Sequence, residues 1–283
     1  MRYVKDVFTV HFQNLFRNLA SLLFLWPAVF LLLGRRRVRD VLRGLPRALP
    51  KIGLIGLFTF LFQLAFTTSL YLIYPAVMTL IYQSNVLFSV LFAVVFFADE
   101  RKSVGRRVFQ VGLVMAAAGV LVVIGAGAEL GRARFGIGVL TVTLAAVCWA
   151  MVGTLVRKWL PAVPGIVSVS AVFTCVFPLY VATYLVASGG FPIPRAPAGL
   201  WAAMLLSGVV GMGVGQTAYY YAVGTLGIAL AGSLGLLIPL LVGVLSFIVF
   251  GEVLSLWQIL GGVVLLSGSY LVIRSRFGSL EGG

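Results

Sequence analysis

Acidic side chains are scarce in this sequence. Its 283 residues hold seven aspartates and glutamates against 21 lysines and arginines, with one histidine and two cysteines. The acids are Asp6, Asp40, Asp99, Glu100, Glu129, Glu252 and Glu281, and none falls at the centre of an apolar run. An enzyme working inside a membrane needs a buried general acid or base, or a nucleophile beside one. Proton relays of many pumps also need an ionisable group at depth. No obvious set of residues meets either need, so no catalytic residue is expected. His11, Cys148 and Cys175 give no metal-ligand spacing, so neither a metal nor another cofactor is expected. Both cysteines lie inside apolar runs and read as small packing residues rather than a disulfide. Met1 to Val10 contain no compact apolar core with a cleavage site, so no signal peptide is expected.

Apolar residues, in contrast, dominate. They make up 61% of the chain, charged residues make up 10%, and the mean hydropathy is +1.11. A soluble domain carries about 45–50% apolar and about 25% charged residues. This chain is expected to be an integral membrane protein with the lipid bilayer as its solvent. The apolar runs show no period-2 alternation, which favours helices over a barrel. The net charge of +14 does not imply nucleic acid, because the basic residues sit in short segments between apolar runs.

Nine transmembrane helices are predicted, at about 12–33, 51–71, 76–97, 108–126, 136–157, 166–188, 198–222, 228–250 and 254–273. Pro75 divides one long uncharged run, and Gly224 and Gly227 divide another. The basic clusters follow odd-numbered segments: Arg35 to Lys51, Arg101 to Arg107, Arg157 with Lys158, and Arg274 with Arg276. After even-numbered segments stand only Arg132, Arg134 and Arg195. The odd exits and the C-terminus are therefore expected in the cytoplasm, at the inner membrane. The same reasoning puts Met1 outside, although Arg2 and Lys5 favour the opposite side.

The chain also reads as two related halves. With Glu100 set against Glu252, Ala76–Ala98 falls on Ile228–Phe250 without a gap. Gly112 and Gly119 match Gly261 and Gly268 once three residues are inserted after Glu100. Glycines seven apart lie on one helix face and let a neighbouring helix approach closely. Glu100 and Glu252 read as turn anchors beside the water boundary, and Pro239 is expected to kink the eighth helix. By the loop charges the two glutamates lie on opposite sides, so the halves, residues 1–126 and 136–274, are expected to be inverted. The second half has five helices and the first has four, which suggests a further helix ahead of Met1 or a nine-helix variant.

These features resemble the drug/metabolite transporter superfamily in its EamA-like branch. The resemblance rests on R-N-L-A-S-L-L-F-L from Arg17, on I-A-L-A-G-S-L-G-L-L-I-P-L, and on G-E-V-L-S-L-W-Q-I-L-G-G-V-V-L-L-S-G. It implies a polytopic helical bundle of two inverted five-helix repeats, present here as four plus five. It also implies alternating-access transport of a small organic metabolite or drug, outward by analogy. Departures are Leu87 where the second half has Pro239, and Asp99 before Glu100 where the second half has Gly251 before Glu252.

The polar residues inside the predicted helices are neutral. Gln63 and Thr67 lie on the second, Tyr82, Gln83 and Asn85 on the third, Trp149 on the fifth, Gln216 and Tyr220 on the seventh, and Ser233 on the eighth. Amides are costly in hydrocarbon, so they either surround a central solute site or hydrogen-bond helix to helix. Gln83 and Gln216 lead the candidates for solute contact. Arg17, one turn inside the outer boundary, reads as a snorkelling side chain. Expected partners are a small organic solute and the bilayer, with a second copy of the chain as a further candidate. A membrane enzyme acting on a lipid-linked substrate, and a scaffold that transports nothing, are the competing readings.

Overall fold

In the computed structural model, residues 4–98, 106–126, 132–161, 163–225 and 235–277 are described, and among them every regular element is a helix. Eight helices are long and apolar enough to cross a bilayer, which makes this a multi-pass membrane protein. They include α1 (Val10–Gly34), α2 (Ala48–Leu72), α5 (Arg107–Gly125), α6 (Arg132–Trp159) and α7 (Gly165–Ser188). One span, Pro75–Phe96, is made of two pieces, α3 (Pro75–Tyr82) and α4 (Asn85–Phe96). Another, Ala198–Thr225, is α8 (Ala198–Leu206), a π-helical segment (Ser207–Val214) and α9 (Gly215–Thr225). The last is α11 (Leu256–Phe277), preceded by the shorter apolar α10 (Leu237–Phe250). The start of the predicted eighth segment, with Ser233, lies outside the described residues, as does Glu100.

Local chemistry fixes the ends. Backbone between α1 and α2 stays helical except at Gly34, whose φ of 70° and ψ of 157° belong to glycine alone. The basic cluster after the first segment is thus on helical backbone rather than in an open loop. Tyr74 is extended and Pro75 takes the first helical position of α3, where its missing N–H costs nothing. Ser255 and Gln258 form a reciprocal capping box on α11: Gln258 N donates to Ser255 Oγ at 3.3 Å, and Ser255 N donates to Gln258 Oε1 at 2.8 Å. Pro239 lies in the first turn of α10, so it removes no bond from that helix and the kink expected of it is not needed.

The chain divides into two compact units, each built from both halves of the sequence. The first comprises Met1–Thr67 and Leu155–Thr225, the second Thr68–Thr154 and Leu226–Gly283. Within the first, Val29 of α1 and Val167 of α7 form a small apolar core flanked by Trp26 and Ile166. A second lock is aromatic: Phe8, Phe12 and Phe16 all meet Trp201, with ring centroids 5.0, 5.7 and 5.1 Å away.

Within the second unit, α5 and α11 run against each other through glycine. A Cβ on Gly119 would come within 2.4 Å of Leu265 N and 2.6 Å of Gly261 O. A Cβ on Gly268 would come within 2.4 Å of Ala116 N and 2.6 Å of Gly112 O. No side chain fits at either place, so the two backbones touch. Gly112 faces Gly268 while Gly119 faces Gly261, so the helices are antiparallel. Where they meet at one end, Arg106 donates to Ser275 O in the last turn of α11 at 2.9 Å, a favourable place for a cation.

Candidate functional site

Two buried charges stand out among the described residues, Arg17 and Glu252. Each belongs to a different unit.

Glu252 follows Gly251, whose φ of 64° ends α10 in a left-handed turn. That turn carries the carboxylate back over α10, where Ser246 Oγ donates to Oε2. The same carboxylate accepts from the N–H of Ala76 at 3.1 Å and of Val77 at 3.4 Å. These are orphan donors of the first turn of α3, which has no cap of its own. Glu252 is thus a helix cap supplied from a distant part of the chain, stabilised by the positive end of α3. It is buried rather than exposed at a water boundary as its sequence position suggested.

The far end of α3 is where the span breaks. Bonds there run to the third residue back: Ser84 N donates to Ile81 O at 3.0 Å and Leu87 N to Ser84 O at 2.9 Å. Asn85 Nδ2 donates to Tyr82 O at 2.9 Å, offering the backbone a local alternative to the helix ladder. Gln83 Nε2 donates to Gly235 O at 3.2 Å, across 152 positions of sequence. That interval is the offset that sets Ala76 against Ile228, so Gln83 meets its own counterpart in the other half. Tyr82, Gln83 and Asn85 are therefore brought together at one turn. Trp149 is half-buried on α6 of the same unit.

In the first unit, polar residues fill a helix interface. Asn14, Arg17, Asn18 and Ser21 share one face of α1, at spacings of three, four and seven, and all are buried. Asn14 links α1 to α2: Thr67 Oγ1 donates to its Oδ1 at 2.8 Å, and its Nδ2 reaches Gln63 O at 3.4 Å. Ser21 Oγ stands 2.7 Å from Arg17 O and 2.8 Å from Gly208 O in the π segment. Glycine is required at 208, since a Cβ there would lie 2.9 Å from Arg17 O. Arg17 Nε donates to Ser207 Oγ at 3.1 Å. Arg17 does not snorkel: it is 8% exposed and turned toward the π segment.

Several buried polar atoms of this unit have no partner: Arg17 Nη1, both amide atoms of Asn18, Tyr180 hydroxyl, Gln216 Oε1 and Tyr220 hydroxyl. Tyr180 lies within electrostatic reach of Arg17, its ring 5.1 Å from that of Phe60. Tyr220 faces Thr59 without reaching hydrogen-bond geometry. Unpaired buried polar atoms are costly, and each of these can take a bond from water or a solute. Of the sequence candidates, Gln63, Thr67, Gln216 and Tyr220 belong here. Asn14, Asn18 and Tyr180 were not among the candidates. The one-face spacing of Asn14, Arg17, Asn18 and Ser21 was the signal for the first two, and nothing local marks Tyr180. Among the described residues no cluster of three or more His, Cys, Asp or Glu is placed to hold a metal ion.

Comparison with known proteins follows the same lines. Residues 136–274 match the EamA-like transporter family. An uncharacterized transporter of Haemophilus influenzae is 23% identical over 189 residues, covering 66% of this chain and 62% of that protein. The match therefore spans less than two thirds of the relative's length. The crystal structure of another protein is similar in fold, with a TM-score of 0.66 at 17% identity over 97% of this chain and 90% of its own.

Proposed function

We propose that this chain, whose residues 136–274 match the EamA-like transporter family, carries a small organic solute across the cytoplasmic membrane by alternating access, in the outward direction. The observation behind this reading is the polar interior of the first unit, where amides, hydroxyls and a guanidinium lie on otherwise apolar membrane helices with hydrogen-bonding atoms to spare. A bundle held only by packing has no use for such atoms, and a carrier needs them to replace the solute's water. Gln63, Thr67, Gln216 and Tyr220 take the role of solute contacts in that unit. In the second unit Tyr82, Gln83, Asn85 and Trp149 take it, with Ser233 as a further contact. The loop charges favour a cytoplasmic C-terminus. The reading assigns no catalytic residue.

Purified protein in liposomes, loaded with labelled amino acids, organic acids or cationic dyes, tests this directly. Flux of at least one solute is expected, and Gln216→Ala is expected to lower it by roughly fivefold to tenfold, the loss of one buried hydrogen bond. Gln83→Ala is expected to lower flux as well without loss of expression. Turnover of a lipid-linked substrate without flux would replace the carrier with an enzyme. Absence of any flux would leave a scaffold.

A further inference from the structure

The guanidinium of Arg17 poses a specific chemical problem. A buried charge is tolerated when it is paired and its hydrogen bonds are made. Arg17 spends Nε on Ser207, while Nη1 has no partner. Its Nη2 faces Gly211, where an added Cβ would meet it at 3.7 Å, and no hydrogen bond of the described residues uses it. No described carboxylate pairs with it. The acids in the sequence of this unit are Asp6, which is exposed ahead of α1, and Asp40, in the basic stretch beyond Gly34. The π-helical segment opposite is the kind of widened turn that recurs at functional sites.

We infer that Arg17 is the seat of a carboxylate on the transported solute. The unpaired edge formed by Nη1 and Nη2 is the edge that a carboxylate takes in a two-bond fork. Tyr180, of the same unit and with a buried, unpartnered hydroxyl, supplies a neutral donor whose charge interaction reaches Arg17. Asn18, on the same face of α1 and with neither amide atom engaged, supplies another. Charge sets the class. Arg17 is the one buried cation among the described residues, so it balances one negative charge and not the nearly two of a phosphate monoester. A cationic solute is repelled from the same place. This assignment rests on the carrier reading above, and deepens it to small organic monocarboxylates.

The test is binding to the full chain in detergent, read as a rise in unfolding temperature, which a ligand of the folded state must produce. The probes are acetate, benzoate and indole-3-acetate, each beside its uncharged amide, with phenyl phosphate and sodium chloride at matched ionic strength. At least one carboxylate is expected to raise the midpoint while its amide does not. Arg17→Met is expected to weaken that carboxylate by roughly tenfold or more, the loss of a charge-assisted bond. Should that variant fail to fold, Tyr180→Phe keeps the ring against Phe60 and removes only the hydroxyl, and a several-fold weaker carboxylate is expected. Equal response to acid and amide, an equal response to chloride, a stronger one to phenyl phosphate, or unchanged affinity in the variants would each overturn the seat. Flux of neutral solutes through the same protein in liposomes would still uphold the carrier, so the two readings fail separately.

Discussion

Arg17 and Glu252 are equally buried, and the two units treat them in opposite ways. Around Glu252 the protein supplies every donor: two backbone N–H groups of α3 and the hydroxyl of Ser246. Around Arg17 it supplies one acceptor, Ser207, and leaves the rest of the guanidinium unanswered. The second unit also closes its α5–α11 interface down to backbone contact, whereas the first lines a helix interface with Asn14, Asn18, Ser21 and Gln63. A buried charge whose bonds are complete is accounted for by the fold alone, and one left incomplete is not. Burial alone does not separate these cases; the count of unmet hydrogen bonds does.

Substitutions can break this contrast. Gly119→Leu in the second unit is expected to have the largest effect, about 3 kcal/mol or more, because its first carbon already collides with backbone of α11. Lost monodispersity in size-exclusion chromatography would show it, and a protein that tolerated leucine would refute the contact. Glu252→Ala comes next, at roughly 2–3 kcal/mol, since it strips a buried helix start of its acceptor. Thermal unfolding should show a lower midpoint, and Glu252→Gln should recover part of it. In the first unit the sign reverses. Asn18→Leu removes an amide that has no partner, so stability is expected to rise by about 1 kcal/mol, seen as a higher midpoint, while flux falls. A fall in both would make Asn18 part of the scaffold. Ser84→Ala, which removes a buried hydroxyl without a partner, should change stability by less than about 0.5 kcal/mol.

Much of the helical plan could be read from the chain itself. The predicted 108–126 and 166–188 correspond to Arg107–Gly125 and Gly165–Ser188, because an apolar run of bilayer length bounded by charge or proline has few other outcomes. The breaks were harder to see. Nothing in Tyr82-Gln83-Ser84-Asn85 is a glycine or a proline, and the interruption there comes from side chains bonding to nearby backbone and from Gln83 reaching Gly235. The π segment carries only the weak mark of three glycines among eight residues. Arg17 is more deeply buried than its distance from the edge of the apolar run implies. Helix α1 in fact begins at Val10 and Phe8 before it is fully buried, which carries position 17 deeper. Which polar atoms stay unpaired depends on neighbours far along the chain, and one-dimensional pattern holds no record of that.

The span from Pro75 to Phe96 has unlike ends. At its start, the Glu252 carboxylate acts as a rivet through α3, and shearing that joint means stranding a buried anion. Midway, Gln83 and Ser84 form a knuckle of short-range bonds that can exchange partners at little expense. Any swing of α4 against α3 therefore has its fulcrum already chosen, and the lever arm is the twelve residues from Asn85 to Phe96.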